Sequence, residues 1–150
     1  MLHAVLTIRR SSIAEIRAHE HGLCEMNVRE THGRSAAIDW AFYAKVEADG
    51  CVDVLASWWG DQLVGYCVAM LHTHPQTSLS TAVVVAIFAL PGFKRSGFAL
   101  RRMLALYADI AKAGGAASVS VEQSMHGRLG PLLMRMGYRP VSVCYEKAVS

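Results

Sequence analysis

A short basic turn containing glycine joins an apolar run to an amphipathic segment, and its residues are suited to bind an anion. Lys94 and Arg95 are positively charged, and Gly97 and Ala99 follow where the amphipathic segment begins. The first N–H groups of a helix have no intrahelical acceptor, and the positive end of the helix dipole lies behind them. Phosphate groups bind well at such a position. The sequence therefore predicts a phosphate site at this turn.

The segments on either side of the turn must position it. Residues 83–90 are apolar throughout and rich in β-branched side chains, which is typical of a strand buried on both faces. After the turn, apolar residues recur at helical spacing, with charged residues on the opposite side. The apolar set is Leu100, Met103, Leu104, Tyr107 and Ile110. The turn matches neither G-x-x-x-x-G-K-[ST] nor G-x-G-x-x-G, which excludes a P-loop and a dinucleotide fingerprint.

The pattern Lys94-x-x-Gly97-x-Ala99 resembles the Q/R-x-x-G-x-G/A pyrophosphate loop of the GCN5-related N-acetyltransferases, a family that binds acetyl-coenzyme A. The preceding Ala-Leu-Pro at residues 89–91 is similar to the Val-Asp-Pro that often ends that family's strand. Short basic glycine turns are frequent, so this loop alone would fit an ordinary strand–turn–helix equally well.

A second motif strengthens the resemblance. Residues 130–141 are similar to the family's late helix, which ends in Leu-Tyr-Glu-Lys-Leu-Gly-Phe and is followed by a polar residue, a proline and a strand. Gly137 takes the helix C-cap, where a positive φ is favourable only without a Cβ, and Tyr138 takes the place of the family's Phe. The two motifs stand in the family's order about 40 residues apart.

The resemblance implies the acyl-CoA N-acyltransferase fold, an α/β (α+β) domain spanning residues 1–150 with a central mixed sheet. In that fold a parallel pair of strands splays apart and opens a slot for the cofactor's pantetheine arm. The chain gives the element order βααβββαβαβ. We expect strands at 4–9, 52–59, 62–72, 83–90, 116–122 and after Pro140, and helices from Ser12 to about Glu30, from Ser35 or Ala36 to Ala48, after the basic turn, and before Gly137.

The resemblance also assigns the residues that bind the co-substrate, acetyl-CoA. Backbone groups of Phe88 and Leu90 correspond to those that hydrogen-bond the pantetheine. Lys94 adds charge at the rim of the pyrophosphate site. The pyrophosphate is expected on the amides of Arg95, Ser96, Gly97, Phe98 and Ala99.

The catalytic acid and base are less clear, because the family's proton-donating tyrosine corresponds to Leu133. Glu122, at the end of the fifth strand, is a candidate general base, and His126 is a candidate base or acid. Tyr145 on the last strand is a candidate replacement for the missing tyrosine. Each also has an ordinary interpretation: a solvated carboxylate, an imidazole at a helix start, and a phenol at the core edge.

Composition limits the other classes of function. The 150 residues are 53% hydrophobic and 18% charged, yet no apolar stretch reaches the roughly 18 residues of a membrane helix. The N-terminal charges follow the apolar residues, unlike a signal peptide. Four scattered cysteines indicate reduced thiols and a cytoplasmic protein. A net charge of +3 is too weak to indicate nucleic acid. His72-x-His74 has no third ligand nearby, so we expect no metal.

Two functions remain open. The first is an acetyl-CoA-dependent N-acetyltransferase acting on a primary amine of a small molecule, peptide or protein. The second is a catalytically weak or silent protein that uses the same fold for binding or assembly, including a role in a bacteriophage. Leu133 favours the second, whereas the retained loop favours the first. No motif identifies the acceptor, and the high apolar fraction hints at a homodimer.

Overall fold

The computed structural model describes residues 4–92, 96–123, 128–142 and 144–149. These residues form a five-stranded mixed sheet in the order β1-β2-β3-β4-β5. The strands are β1 (Leu6–Arg10), β2 (Val52–Trp59), β3 (Gln62–Thr73), β4 (Ser80–Ala89) and β5 (Ser118–Val121). The first four pair antiparallel, and β5 runs parallel to β4. The predicted mixed α/β sheet with its parallel pair is confirmed.

Five helices complete the described fold: α1 (Ile13–His19), α2 (Leu23–His32), α3 (Trp40–Ala48), α4 (Ser96–Ala113) and α5 (Gly130–Arg135). The helix predicted from Ser12 to about Glu30 is two helices, because His21 and Gly22 have φ of 39° and 87° and interrupt it. The next helix starts later than predicted, since the Asp39 carboxylate caps it by accepting the N–H of Phe42.

The predicted last strand is absent from the described residues after Pro140. Val141, Tyr145 and Val149 expose 73%, 91% and 92% of their surface, so this segment buries little apolar area. Without that burial, nothing offsets the entropy lost when a strand is ordered. The order of the described elements is therefore βαααβββαβα, and the fold class is unchanged.

The sheet has a separate apolar core on each face. Helices α1 and α2 cover one face with Ile13, Ile16 and Leu23, which pack with sheet residues such as Tyr66 and Phe88. Helix α4 covers the other face with Met103, Leu104, Tyr107 and Ala111, and α5 adds Leu133. Each large side chain buried in this way contributes about 1.5–3 kcal/mol. No described helix is both long enough and apolar enough to cross a membrane.

Strands β4 and β5 part before β4 ends. Their pairing extends from Thr81 opposite Ser118 to Val84 opposite Val121. The N–H of Glu122 then donates to the carbonyl of Val84 at 3.1 Å. Beyond that bond, no described strand pairs with the β5 side of β4, although β4 runs on to Ala89. This open edge is the predicted slot between splayed parallel strands.

Candidate active site

A β-bulge in β4 determines which backbone groups face the slot. Ala69 of β3 lies opposite Val84, and the next residue, Val68, lies opposite Ala86, so Val85 is an extra residue in β4. A single extra residue reverses the direction of the backbone groups that follow it in the strand.

The backbone groups that face the slot belong to Ile87 and Ala89. The N–H of Leu90 donates to the carbonyl of Val64 in β3 at 2.7 Å, and in an antiparallel pair every second residue shares that direction. The backbone groups of Phe88 and Leu90 therefore point to β3, and the prediction that they bind pantetheine is wrong by one residue. The reason is the bulge, which a continuous apolar run does not reveal.

Close contact between strands fixes the last residues of β4. Ser57, Gly65 and Ala89 lie side by side across β2, β3 and β4. A Cβ built on Gly65 would lie 2.6 Å from both the Phe88 carbonyl oxygen and Ser57 Oγ, and 3.2 Å from the Ala89 Cα. Only glycine fits there. Sequence reasoning missed this contact, although a glycine inside a strand is itself a signal of close backbone approach.

The first described turn of α4 follows the end of β4 closely in sequence. Helix α4 is described from Ser96, and the first amides of a helix have no acceptor within it. A Cβ built on Gly97 would meet no atom within 4 Å, so the space beside it is open. Ala99 is fully buried, and Phe98 is 48% exposed. Lys94 and Arg95 lie outside the described residues.

Glu122 lies where the two parallel strands part. Its backbone forms the last hydrogen bond between β5 and β4, and its side chain is exposed. From Leu90 back to Val85 an extended strand covers about 16 Å, at about 3.3 Å per residue. Glu122 therefore marks the end of the slot at which the strands part, and the other end is the one that α4 follows in sequence.

This arrangement matches solved structures although the sequence matches little. No known family profile matches the chain, and no curated protein matches its sequence significantly. A predicted acetyltransferase from Clostridium acetobutylicum, solved with acetyl-CoA, superposes with a TM-score of 0.76, 14% identity and 96% of each chain covered.

Two further structures superpose over nearly the whole chain. An aminoglycoside acetyltransferase from an uncultured soil metagenomic sample, in complex with sisomicin, gives a TM-score of 0.74 at 11% identity, with 97% of each chain covered. A ribosomal-protein-alanine N-acetyltransferase from Brucella melitensis biovar Abortus 2308 gives 0.71 at 14% identity, covering 97% of this chain and 100% of that one. The fold is that of the GCN5-related N-acetyltransferases.

Of the other two predicted catalytic residues, the structure describes only Tyr145. Tyr145 lies on no strand and is almost fully exposed, so the prediction of a core-edge phenol on a last strand is wrong. His126 lies outside the described residues. Leu133, at the position of the family's tyrosine, is 9% exposed and packs in the core beneath α4. Glu122 is thus the only one of the three candidates that the described residues place beside the slot.

The buried phenols are poor proton donors. Tyr66, opposite Phe88 in the sheet, accepts a hydrogen bond of 2.9 Å from Asn27 Nδ2. Burial raises the pKa of Tyr66 far above its usual range, with the neighbouring Cys24 as a second cause. Burial likewise raises the pKa of Tyr107 and raises the pKa of the Cys24 thiol to about 11. These groups keep their protons at neutral pH.

Among the described residues, the histidines of β3 and its following loop form no metal site. The exposed rings of His72 and His74 lie 6.3 Å apart, and the described part of the chain holds no group of three residues able to bind a metal. A cavity of about 230 Å³ lies between the α1–α2 break, the β2–β3 turn and Leu90. Its lining includes Leu90 but not Glu122, which bonds to Val84, six residues before Leu90 in the chain.

Proposed function

We propose that this chain is an acetyl-CoA-dependent N-acetyltransferase that transfers an acetyl group to a primary amine of a small molecule, peptide or protein. The likeness to solved structures gives the fold alone. The observation that carries the proposal is the slot itself. Along one edge lie the backbone groups of Ile87 and Ala89, which pair with no described strand on that side, and Glu122 lies where the slot begins. Helix α4 follows the other end in sequence.

The described residues fit coenzyme A in two places. The amides of the first turn of α4 would hold the pyrophosphate, because amides at a helix start lack an acceptor within the helix and the space beside Gly97 is open. The backbone groups of Ile87 and Ala89 would hydrogen-bond the pantetheine amides as a strand does. Lys94 and Arg95 remain predicted contributors of positive charge. When bound, acetyl-CoA supplies the activated thioester.

We assign Glu122 as the general base, because an exposed carboxylate at the parting point can reach an incoming amine. The reaction forms a bond from the amine nitrogen to the acetyl carbon and breaks the carbon–sulfur bond. The proton lost by the amine goes to Glu122, and a proton is finally needed on the sulfur. His126 remains our proposed donor for that step. Most of the acceleration would come from holding the reactants in place and excluding water.

The alternative is a binding or assembly module with little catalysis. It is favoured by one observation, the burial of Leu133 where the family has its tyrosine. We also propose a cytoplasmic location, since all four cysteines are free. Homodimer formation stays a prediction of the sequence.

Ligand binding followed by turnover tests the proposal. The chain would be titrated with acetyl-CoA, CoA, ATP and NAD by calorimetry and thermal unfolding. A ligand at 100 times its Kd stabilises the folded state by about 2.7 kcal/mol, which gives a clear rise in Tm. Selective stabilisation by acetyl-CoA and CoA, with amine-dependent release of free CoA thiol, would support the enzyme. Selective binding without turnover on a broad amine panel would support the module. No binding of acetyl-CoA or CoA would refute both proposed contacts with coenzyme A, the one with the pyrophosphate and the one with the pantetheine.

A further inference from the structure

An aromatic ring and a guanidinium group lie together on the exposed side of α4, next to the open first turn. The Arg102 Cζ lies 5.5 Å from the centroid of the Phe98 ring. The two residues are four apart, so they share one side of the helix. Phe98 exposes 48% of its surface, and Arg101 and Arg102 are also exposed.

The core does not account for this ring. The buried side of α4 is formed by Ala99, Met103 and Tyr107, all fully buried, and Phe98 lies outside that stripe. With the guanidinium over its ring, Phe98 still presents about half of its surface to solvent. A flat apolar surface flanked by two arginines at a helix start suits a ligand with an aromatic base and a phosphate.

We propose that the Phe98 side chain and Arg102 bind the adenosine 3′-phosphate end of coenzyme A. This inference rests on the proposed function. If the pyrophosphate lies on the amides of the first turn of α4, the adenine is only one ribose away, which is close enough to reach the exposed side of this helix. The Phe98 ring stacks on the adenine, as aromatic side chains stack on bases. The Arg102 guanidinium pairs with the 3′-phosphate, for which its planar donors are suited.

Three ligands separate the parts of the cofactor. CoA carries the adenine and the 3′-phosphate, and dephospho-CoA lacks the 3′-phosphate. 4′-Phosphopantetheine lacks the whole adenosine and keeps only one phosphate of the pyrophosphate. Each would be titrated by calorimetry, at one fixed salt concentration, into the parent chain, Phe98→Leu and Arg102→Gln. Leucine keeps the backbone amide and most of the apolar volume, so the proposed pyrophosphate contact is preserved.

Two matched variants control for general effects. Phe42 on α3 is 46% exposed, so Phe42→Leu removes an equally exposed ring elsewhere. Arg17 on α1 lies 5.9 Å from the Trp40 ring, so Arg17→Gln removes a comparable cation–ring pair and the same charge. Both controls should bind all three ligands like the parent.

We expect Phe98→Leu to weaken CoA and dephospho-CoA by about tenfold and to leave 4′-phosphopantetheine unchanged. Arg102→Gln should weaken CoA by about tenfold and reduce the preference for CoA over dephospho-CoA. Equal effects on all three ligands, or none, would overturn the subsite and show an ordinary surface pair. If the parent bound CoA and neither Phe98→Leu nor Arg102→Gln changed its affinity, only the subsite would fail. If it bound none of the three, the proposed function would fail with it.

Discussion

Gly65 in β3 lies against the carbonyl group of Phe88 in β4 so closely that no side chain fits between them. A Cβ at Gly65 would lie 2.6 Å from that oxygen, a distance that real Cβ atoms essentially never show. Phe88 separates Ile87 from Ala89, the two residues whose backbone groups face the slot. The contact between Gly65 and Phe88 therefore fixes the edge on which the proposed pantetheine site depends.

Replacing Gly65 by Ala should move β4 and weaken both the fold and the slot. We expect a loss of about 1–3 kcal/mol in the free energy of unfolding, because the added methyl group meets backbone and a buried hydroxyl. CoA affinity should fall as well, as measured by calorimetry on the folded fraction. Gly114→Ala is the control, since its Cβ would lie 3.5 Å from its nearest neighbours. Unchanged CoA affinity in Gly65→Ala would show that the slot does not depend on this contact.

Gly97→Glu should abolish CoA binding while leaving the fold intact. The structure has open space beside Gly97, but a carboxylate there would oppose the pyrophosphate. Gly97→Gln has almost the same volume without the charge, so it should bind CoA more tightly than Gly97→Glu. Calorimetry and the Tm of each free variant would measure both effects. CoA binding by Gly97→Glu equal to that of the parent would mean that the phosphate site lies elsewhere.

Glu122→Gln should lower kcat by about 10²–10⁴-fold with little change in CoA affinity, the range typical of a lost general base. The amide keeps the size and the backbone hydrogen bond to Val84 but cannot accept the amine proton. Steady-state kinetics across pH would measure the loss, with Glu30→Gln as an exposed control on α2. An unchanged pH–rate profile would remove Glu122 from the mechanism.

Tyr145→Phe should leave kcat within about twofold of the parent. The side chain is 91% exposed and lies on no described strand, so no packing holds its hydroxyl at a fixed position for catalysis. Surface substitutions of this kind usually change stability by no more than about 0.5 kcal/mol. A fall in kcat of tenfold or more at unchanged Tm would restore Tyr145 as the proton donor.

Acid should weaken the junction of β1 and α1. Hydrogen bonds from Arg9, at 2.6 Å and 3.0 Å, and from Ser11 lower the pKa of Glu15 to about 2, from an ordinary value of 4.5. Because the pKa of Glu15 is lower in the folded state than in the unfolded chain, its ionised carboxylate stabilises the folded state fully above pH 4.5. That stabilisation is lost as the carboxylate is protonated between pH 4.5 and about 2. Glu15→Gln should cost about 0.5–1 kcal/mol at pH 7, since the pair is partly exposed, and should lose less stability on acidification. Denaturant unfolding of the parent and of Glu15→Gln at several pH values would test this. The same pH dependence of the free energy of unfolding in both would contradict it.

Elements determined by local pattern were predictable. The apolar run and the apolar spacing after the basic turn predicted β4 and α4. The predicted strands 52–59 and 62–72 leave residues 60–61 for the turn between β2 and β3, as observed. The predicted helix start at Ser12 is also observed, since Ser12 Oγ accepts the Glu15 N–H at 3.1 Å. Each of these signals lies within a few residues of the element it specifies.

The break at His21 and Gly22 was not predictable in the same way. The sequence there permits a continuous helix, but the interruption lets both α1 and α2 bury apolar residues against one sheet face. The last strand, which the described residues after Pro140 do not form, was predicted from the family resemblance, and a resemblance does not provide a partner for it.

The sequence by itself determined the order of strand, basic turn and helix on which the proposed phosphate site rests, because those features depend on neighbouring residues. Only the tertiary structure decided which backbone groups face the slot. That choice depends on the bulge at Val85 and on the row of Ser57, Gly65 and Ala89, which come from three strands. Strand register is set by packing between residues far apart in the chain, so no local pattern contains it.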